Sequence, residues 1–152
     1  MWSLFHKLGS PPWLFQISGQ ILRWLLPITI IALVVGAAWG LLFTSPDFRQ
    51  GNSYRIIYLH VPAAFVSLAG YYVMAVAGAI SLIWKMKMAD IAMLAAAPVG
   101  AALTFLALVT GAIWGKPPWG TWWVWDARLT SMLLLLFLYL GVIALYAAYE
   151  SK

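Results

Sequence analysis

The second half of the chain carries an unusual density of tryptophan. Five of the ten tryptophans fall between positions 114 and 125, namely Trp114, Trp119, Trp122, Trp123 and Trp125. Anchoring of a helix end in the membrane interface uses one or two aromatic rings at head-group depth. A cluster of this size, interrupted by glycine and paired proline, instead favours a sheltered aromatic surface on which a flat ligand can lie. Simple interfacial anchoring stays open as the alternative.

The spacing within this cluster predicts its local structure. After Pro118, four residues recur at the period of one face of an α-helix. They are Trp119, Trp122, Trp123 and Asp126. We therefore expect a short helix that lies in the interface and presents one aromatic face. Stacking of planar rings contributes about 0.5–1.5 kcal/mol per pair, so this face would hold a porphyrin without ligating its metal.

A metal at the centre of a porphyrin needs a further donor, and a histidine nitrogen can supply it. The two histidines of the chain are His6 and His60. His60 precedes Pro62 at the start of a long apolar stretch, and we expect it to be an axial ligand of a haem iron. A hydrogen-bonded structural histidine is the alternative at this position. We expect His6, beside Lys7, to contact lipid head groups at the opposite membrane face.

Charged residues flank these candidates. Arg55 and Arg128 can pair with porphyrin carboxylates, because the guanidinium fork matches a carboxylate. Lys116 is more simply interpreted as an ordinary charge at a helix end. Asp126 begins the last apolar stretch, where a carboxylate caps free amides and meets the helix dipole. Direct contact between Asp126 and a ligand is an equal alternative.

The elements that must position these residues are membrane helices. The composition is 64% hydrophobic and 9% charged, and four charge-free stretches each exceed the roughly 20 residues that cross a hydrocarbon core of about 30 Å. We expect an all-α, polytopic integral membrane protein with about four transmembrane helices and an outer tryptophan-rich interfacial loop. The chain should form a single membrane domain, 1–152, with helices at about 24–43, 58–84, 91–114 and 129–149 and the loop at 114–126.

Alternation of helix direction places the candidate residues on one side of the membrane. The end of the first span, the start of the second, the end of the third and the start of the fourth share a face, so His60 and the tryptophan loop should share it. Five positive residues lie on the other face and four on this one, which favours a cytoplasmic N-terminus. We expect the residues before Arg23 to lie along the interface. The first apolar span is too long for the core of a signal peptide, and we expect it to be retained as a membrane anchor.

Composition argues against several classes of function. The chain has no cysteine, which removes disulfides, thiolate metal sites and covalent haem attachment. The net charge of +5 is spread over helix ends, so lipid head groups of the bilayer, and no nucleic acid, are the expected counterions. There is no H-E-x-x-H, Walker loop or Ser–His–acid set, and the carboxylates number four. We do not expect an enzyme.

Five residues follow the pattern W-G-x-x-W-x-W-D: Trp119, Gly120, Trp123, Trp125 and Asp126. This pattern resembles the tryptophan-rich (WWD) motif of haem-handling proteins in cytochrome c maturation. The stretch GNSYRIIYLHVPAA at 51–64 is similar to the haem exporter protein C family, CcmC. The resemblance implies that His60 and the tryptophan loop bind haem b non-covalently at the periplasmic face of the bacterial inner membrane.

The same resemblance implies partners and a larger protein. The partners are a periplasmic haem chaperone, CcmE, and the ABC-type ATPase and membrane subunits of the cytochrome c maturation complex. The family implies six helices and a second histidine ligand, so we expect a chain that stops at Lys152 to lack the last two helices. Two rival functions remain: a structural or permease subunit anchored by its aromatic loop, and binding of a quinone at the interface.

Overall fold

The computed structural model describes residues 10–150 as four long helices with short connections. The first helix continues directly into a π-helical turn, and a 3-10 turn leads into the second. In chain order the elements are α1 (Pro11–Ala38), the π-helical turn (Trp39–Phe43), the 3-10 turn (Asn52–Ile56), α2 (Ile57–Trp84), α3 (Lys87–Trp119) and α4 (Ala127–Glu150). No strand occurs in the described range, and the predicted all-α class is confirmed.

All four helices are long and apolar enough to cross a membrane. With their adjoining turns, the first three candidate spans contain 33 residues each and the fourth contains 23. At 1.5 Å per residue, a helix of 33 residues is about 50 Å long, so it extends beyond a hydrocarbon core of about 30 Å. The prediction of a polytopic membrane protein with four spans is confirmed.

Each helix begins before its predicted span, by one residue for α2 and by thirteen for α1. α1 begins at Pro11 rather than near residue 24, so residues 11–22, which we expected to lie along the interface, form the first part of a continuous helix. Pro11 and Pro12 suit the first turn, where an amide proton is not needed and φ is already helical. Charge-free length locates the apolar part of a helix but not its ends. His6 lies outside the described residues.

The short helix predicted after Pro118 is contradicted by the structure. α3 itself runs to Trp119, and Gly120 ends it in the left-handed conformation with a φ of +71°. Residues 121–126 form an irregular connection before α4 begins at Ala127. A left-handed glycine terminates helical geometry, so the spacing from Trp119 to Asp126 is not carried by one helix face.

Helices α2, α3 and α4 pack around Tyr139, which is fully buried. The Tyr139 hydroxyl donates a hydrogen bond of 2.7 Å to the Ser67 carbonyl, and its ring meets Tyr71 edge to face with centroids 5.5 Å apart. A Cβ atom at Gly100 would overlap the Tyr139 ring. Close approach of α4 to α3 therefore depends on a residue without a side chain, as is common between helices in membranes.

α1 joins this bundle near its C-terminal end. Its residues are all at least partly exposed within the described chain, whereas Gly40 in the following π-helical turn lies against Tyr58, whose Cγ would be 2.6 Å from a Cβ at that glycine. Arg55 stabilises the connection between α1 and α2, because its Nε and Nη2 donate hydrogen bonds to the Thr44 carbonyl at 3.0 and 2.6 Å.

Hydrogen bonds between helices fix their directions. His60 of α2 contacts the C-terminal half of α3, while Asp90 at the start of α3 accepts hydrogen bonds from Ser81 of α2 at 3.4 Å and Tyr146 of α4 at 2.9 Å. Helices α2 and α3 are thus antiparallel to each other, as are α3 and α4. The start of α2, the end of α3 and the start of α4 meet at one end of the bundle, hereafter the His60 end.

Candidate functional site

His60 lies in the first turns of α2 and faces α3. Its Nδ1 is 3.0 Å from the Ala107 carbonyl oxygen and 3.1 Å from the Thr110 hydroxyl oxygen. A carbonyl oxygen can only accept, so Nδ1 carries the proton and donates it. In the neutral imidazole the lone pair is then on Nε2, and a histidine fixed in this way by a backbone carbonyl is suited to ligate a metal.

Two neighbouring residues of α3 hold the imidazole in place. The Thr110 hydroxyl donates to the Leu106 carbonyl at 2.7 Å, so its oxygen still has a lone pair for the His60 Nδ1 proton. A Cβ atom at Gly111 would lie 3.0 Å from His60 Cε1, closer than ordinary van der Waals contact. Glycine at 111 therefore lets the ring pack directly on the helix.

His60 lines a cavity of about 270 Å³ at this end of the bundle. The other lining residues are Gln50, Tyr54, Ile57, Val61 and Trp114. Pockets that enclose a small-molecule ligand usually measure about 300–1,000 Å³. This cavity is therefore suited to receive one edge of a large planar ligand while the rest stays outside.

Trp114 forms a wall of the cavity and connects two parts of the chain. Its indole Nε1 donates a hydrogen bond of 2.8 Å to Gln50 Oε1, which joins α3 to the connection between α1 and α2. Its ring meets Trp119 edge to face at 5.3 Å between centroids. Of the five clustered tryptophans, Trp114 is the one that shares this cavity with His60.

Trp119 and Gly120 shape the end of α3. The Trp119 ring lies on the backbone of Gly115, where a Cβ atom would be 2.6 Å from Trp119 Cε3. The Arg128 guanidinium lies 5.9 Å from the centroid of the same ring, within the range of a cation–π contact. The turn at Gly120 then brings the remaining tryptophans between α3 and α4.

The last three tryptophans differ in exposure. The rings of Trp123 and Trp125 meet edge to face at 5.4 Å, and Trp122 and Trp125 are 56% and 76% exposed. The Trp123 Nε1 is buried and has no hydrogen-bond partner among the residues that the structure describes. Because buried donors are almost always paired in folded proteins, this nitrogen marks a position where an incoming acceptor would be stabilised.

Asp126 caps α4. Its Oδ1 accepts the Leu129 amide at 2.8 Å, and its Oδ2 forms an ion pair with Arg128 Nη2 at 2.8 Å. The hydrogen bond from the Leu129 amide, followed by that from Arg128, lowers the pKa of the Asp126 carboxyl below its ordinary value. The structural alternative for Asp126 is thus observed directly, since the carboxylate satisfies an otherwise free amide at the helix start.

Two other cations of this end are also engaged by the protein. Arg55 donates to the Thr44 carbonyl through two nitrogens. Lys116 Nζ donates to the Gly120 carbonyl at 2.8 Å and lies 5.7 Å from the Trp122 ring centroid. Arg55 therefore stabilises the connection between α1 and α2, which contributes to the cavity lining, and Lys116 stabilises the turn that leads into the tryptophan loop.

The structure brings some sequence candidates together and keeps others apart. His60 and Trp114 share a cavity. The end of α3, its connection to α4 and the first turn of α4 hold the other candidates near this end of the bundle, namely Trp119, Gly120, Trp122, Trp123, Trp125, Asp126 and Arg128. Sequence reasoning missed Gln50, Tyr54, Thr110 and Gly111. A polar Thr–Gly pair in an otherwise apolar span was the available signal, but its pairing with His60 depends on the register between α2 and α3.

These features define a polytopic α-helical membrane protein with a histidine- and tryptophan-lined site at one end of its bundle. The chain belongs to the CcmC family, heme exporter protein C, whose sequence profile matches residues 4–152. The predicted family is confirmed. The family is named for export rather than for an enzymatic reaction.

Relatives named Heme exporter protein C are similar over most or all of the chain. The protein of Escherichia coli strain K12 is 59% identical over 152 residues, and that of Haemophilus influenzae is 51% identical; each match covers 100% of this chain and 62% of the relative. The Paracoccus denitrificans protein is 46% identical over 143 residues, which is 94% of this chain and 59% of the relative. The chain thus spans about three fifths of these relatives' length.

Proposed function

We propose that this chain binds haem b non-covalently at the periplasmic face of the bacterial inner membrane and passes it on during c-type cytochrome biogenesis. The observation that carries this proposal is the His60 imidazole, whose Nδ1 donates to Ala107 and whose Nε2 is left for iron in a cavity shared with Trp114. The name of the relatives, Heme exporter protein C, supports haem as the ligand.

Each part of the site has a role in this proposal. His60 ligates the iron through Nε2, and the cavity takes one apolar edge of the macrocycle. The exposed rings of Trp122 and Trp125 offer stacking surfaces, and the Trp123 indole donates to an acceptor on the ligand. The remaining candidates hold the connections in place: Gly120 ends α3, and Asp126 caps α4 and pairs with Arg128. The guanidinium groups of Arg55 and Arg128 also supply positive charge near the haem propionates.

The openness of the site favours delivery over storage. The cavity holds only an edge of the ligand, and the Trp125 side chain is 76% exposed, so a second protein can approach the rest of the ring. In the proposal that protein is the periplasmic haem chaperone CcmE, and an ABC-type ATPase with its membrane subunits acts on the loaded complex.

Haem binding is tested on the 152-residue chain purified in detergent from haem-replete cells. We expect a Soret band that is lost when the four loop tryptophans are changed to alanine. The band should be kept in Trp24→Ala, which removes an exposed ring of α1. Mass spectrometry of extracted organic molecules identifies the ligand. Quinone in place of haem, or a Soret band that survives loss of the four rings, would contradict the proposal. The loop variant changes Trp119, Trp122, Trp123 and Trp125.

A further inference from the structure

A second, smaller cavity lies directly beside the one that contains His60. It measures about 110 Å³, and its lining includes Arg49. The two cavities share Gln50 and Trp114, whose side chains are joined by the hydrogen bond of 2.8 Å between Trp114 Nε1 and Gln50 Oε1. These two side chains therefore lie between the cavity lined by His60 and the cavity lined by Arg49.

Arg49 differs from the other cations of the His60 end. The side chains of Arg55, Lys116 and Arg128 already donate to the Thr44 carbonyl, the Gly120 carbonyl and the Asp126 carboxylate. Within residues 10–149, the Arg49 guanidinium forms no hydrogen bond or ion pair. Its backbone amide donates to Asp47 Oδ1 at 2.8 Å, which fixes the turn that carries it.

We propose that Arg49 is the carboxylate subsite of the haem site, where its guanidinium pairs with one of the two propionates. The inference rests on the proposed function, because it assigns an orientation to a haem whose iron is bound by His60. One carboxylate edge of the ring then faces the connection at 44–56, and its propionate passes beside Gln50 and Trp114 to reach Arg49. The second propionate is left for the cations beside the tryptophan loop.

A haem propionate competes with fewer protein contacts at Arg49 than at Arg128 or Arg55. A carboxylate that binds Arg128 must displace the Asp126 carboxylate at 2.8 Å, and one that binds Arg55 competes with two hydrogen bonds to Thr44. Arg49 requires no such exchange. Its fork can offer two parallel hydrogen bonds to a carboxylate, which gives orientation as well as affinity.

The test compares haem with haem dimethyl ester, in which both carboxylates are blocked. Each is titrated into the 152-residue chain in nanodiscs of phosphatidylcholine, and binding is measured from Soret absorbance. We expect the unmodified chain to prefer haem by about threefold to tenfold, the range for a partly exposed charged pair. Arg49→Ala should remove most of this preference without weakening the ester, and Arg49→Lys should keep part of it. Arg23→Ala, within α1, is the matched control and should change neither affinity.

The outcomes separate this inference from the proposed function. An unchanged preference for haem in Arg49→Ala, with the Soret band intact, would overturn the subsite and leave haem binding standing. Equal weakening of haem and its ester would assign Arg49 a structural role and also overturn it. An effect confined to nanodiscs that contain phosphatidylglycerol would assign the guanidinium to lipid phosphate instead. Failure of the unmodified chain to bind either porphyrin would overturn both proposals.

Discussion

Substitution of Thr110 by valine is a sharp test of how α3 prepares His60 for iron. Valine keeps the branched shape of threonine but removes the oxygen that lies 3.1 Å from His60 Nδ1. The Ala107 carbonyl, 3.0 Å away, remains as the second acceptor. The ring should therefore stay in its place while its proton loses one of two partners, and Nε2 should become a weaker and less precisely oriented donor to iron.

The size of the effect follows from the hydrogen bond that is lost. A neutral hydrogen bond contributes about 0.5–1.5 kcal/mol net, and every 1.4 kcal/mol corresponds to a factor of ten in affinity. We therefore expect Thr110→Val to weaken haem binding by roughly twofold to tenfold. Iron-free protoporphyrin gains nothing from an axial ligand, so its binding should be unchanged.

The chain offers a matched control for this substitution. Thr104 lies on the same helix, is fully buried, and donates to the Gly100 carbonyl at 2.7 Å, much as Thr110 donates to Leu106 at 2.7 Å. Thr104→Val should leave the haem affinity unchanged. Titrations followed by Soret absorbance for haem and by tryptophan quenching for protoporphyrin make the comparison. Equal losses of haem affinity in both valine variants, or an equal loss of protoporphyrin binding, would refute positioning by Thr110.

Two further predictions concern the bundle that carries the site. Gly100→Ala should lower the free energy of unfolding by about 1–3 kcal/mol, typical of overpacking, because the new methyl overlaps the buried Tyr139 ring. Thermal unfolding in detergent measures this loss against the control Gly141→Ala, whose methyl meets open space. Equal stability of the two variants would contradict the prediction. The lowered pKa of Asp126 means that its carboxylate stabilises the fold above the unfolded aspartate value of about 4 and loses this effect as pH falls through the folded pKa. The stability advantage of the native chain over Asp126→Asn should thus shrink on acidification, and an advantage independent of pH would show that the ionised cap on Leu129 is unimportant.

The four membrane-spanning helices could be predicted from the sequence because charged side chains are excluded from them. Because an ionised side chain is costly in hydrocarbon, charge-free stretches revealed the four spans, and alternation of direction then placed His60 and Trp114 at the same end. The helix ends were less predictable. α1 begins at Pro11 rather than near residue 24, because Arg23 bounds the charge-free stretch without ending the helix.

The details of the site depended on information that periodicity does not contain. The partners of His60 follow from the register of α2 against α3, which Gly111 permits by its lack of a side chain. The helix predicted after Pro118 was wrong, because the left-handed turn at Gly120 outweighed the helical spacing of the tryptophans. A glycine immediately after the last helical residue commonly ends a helix, and here it determines the local structure in place of the spacing of aromatic rings.

Rescue of a His60→Gly variant by imidazole tests iron ligation most directly. Glycine removes the donor and leaves space beside Gly111 into which free imidazole can diffuse. We predict that the variant loses the Soret band of the native chain and that millimolar imidazole restores its position and intensity, because the added ring supplies the missing nitrogen. A Soret spectrum in His60→Gly identical to that of the native chain before imidazole is added would contradict ligation of the haem iron by His60.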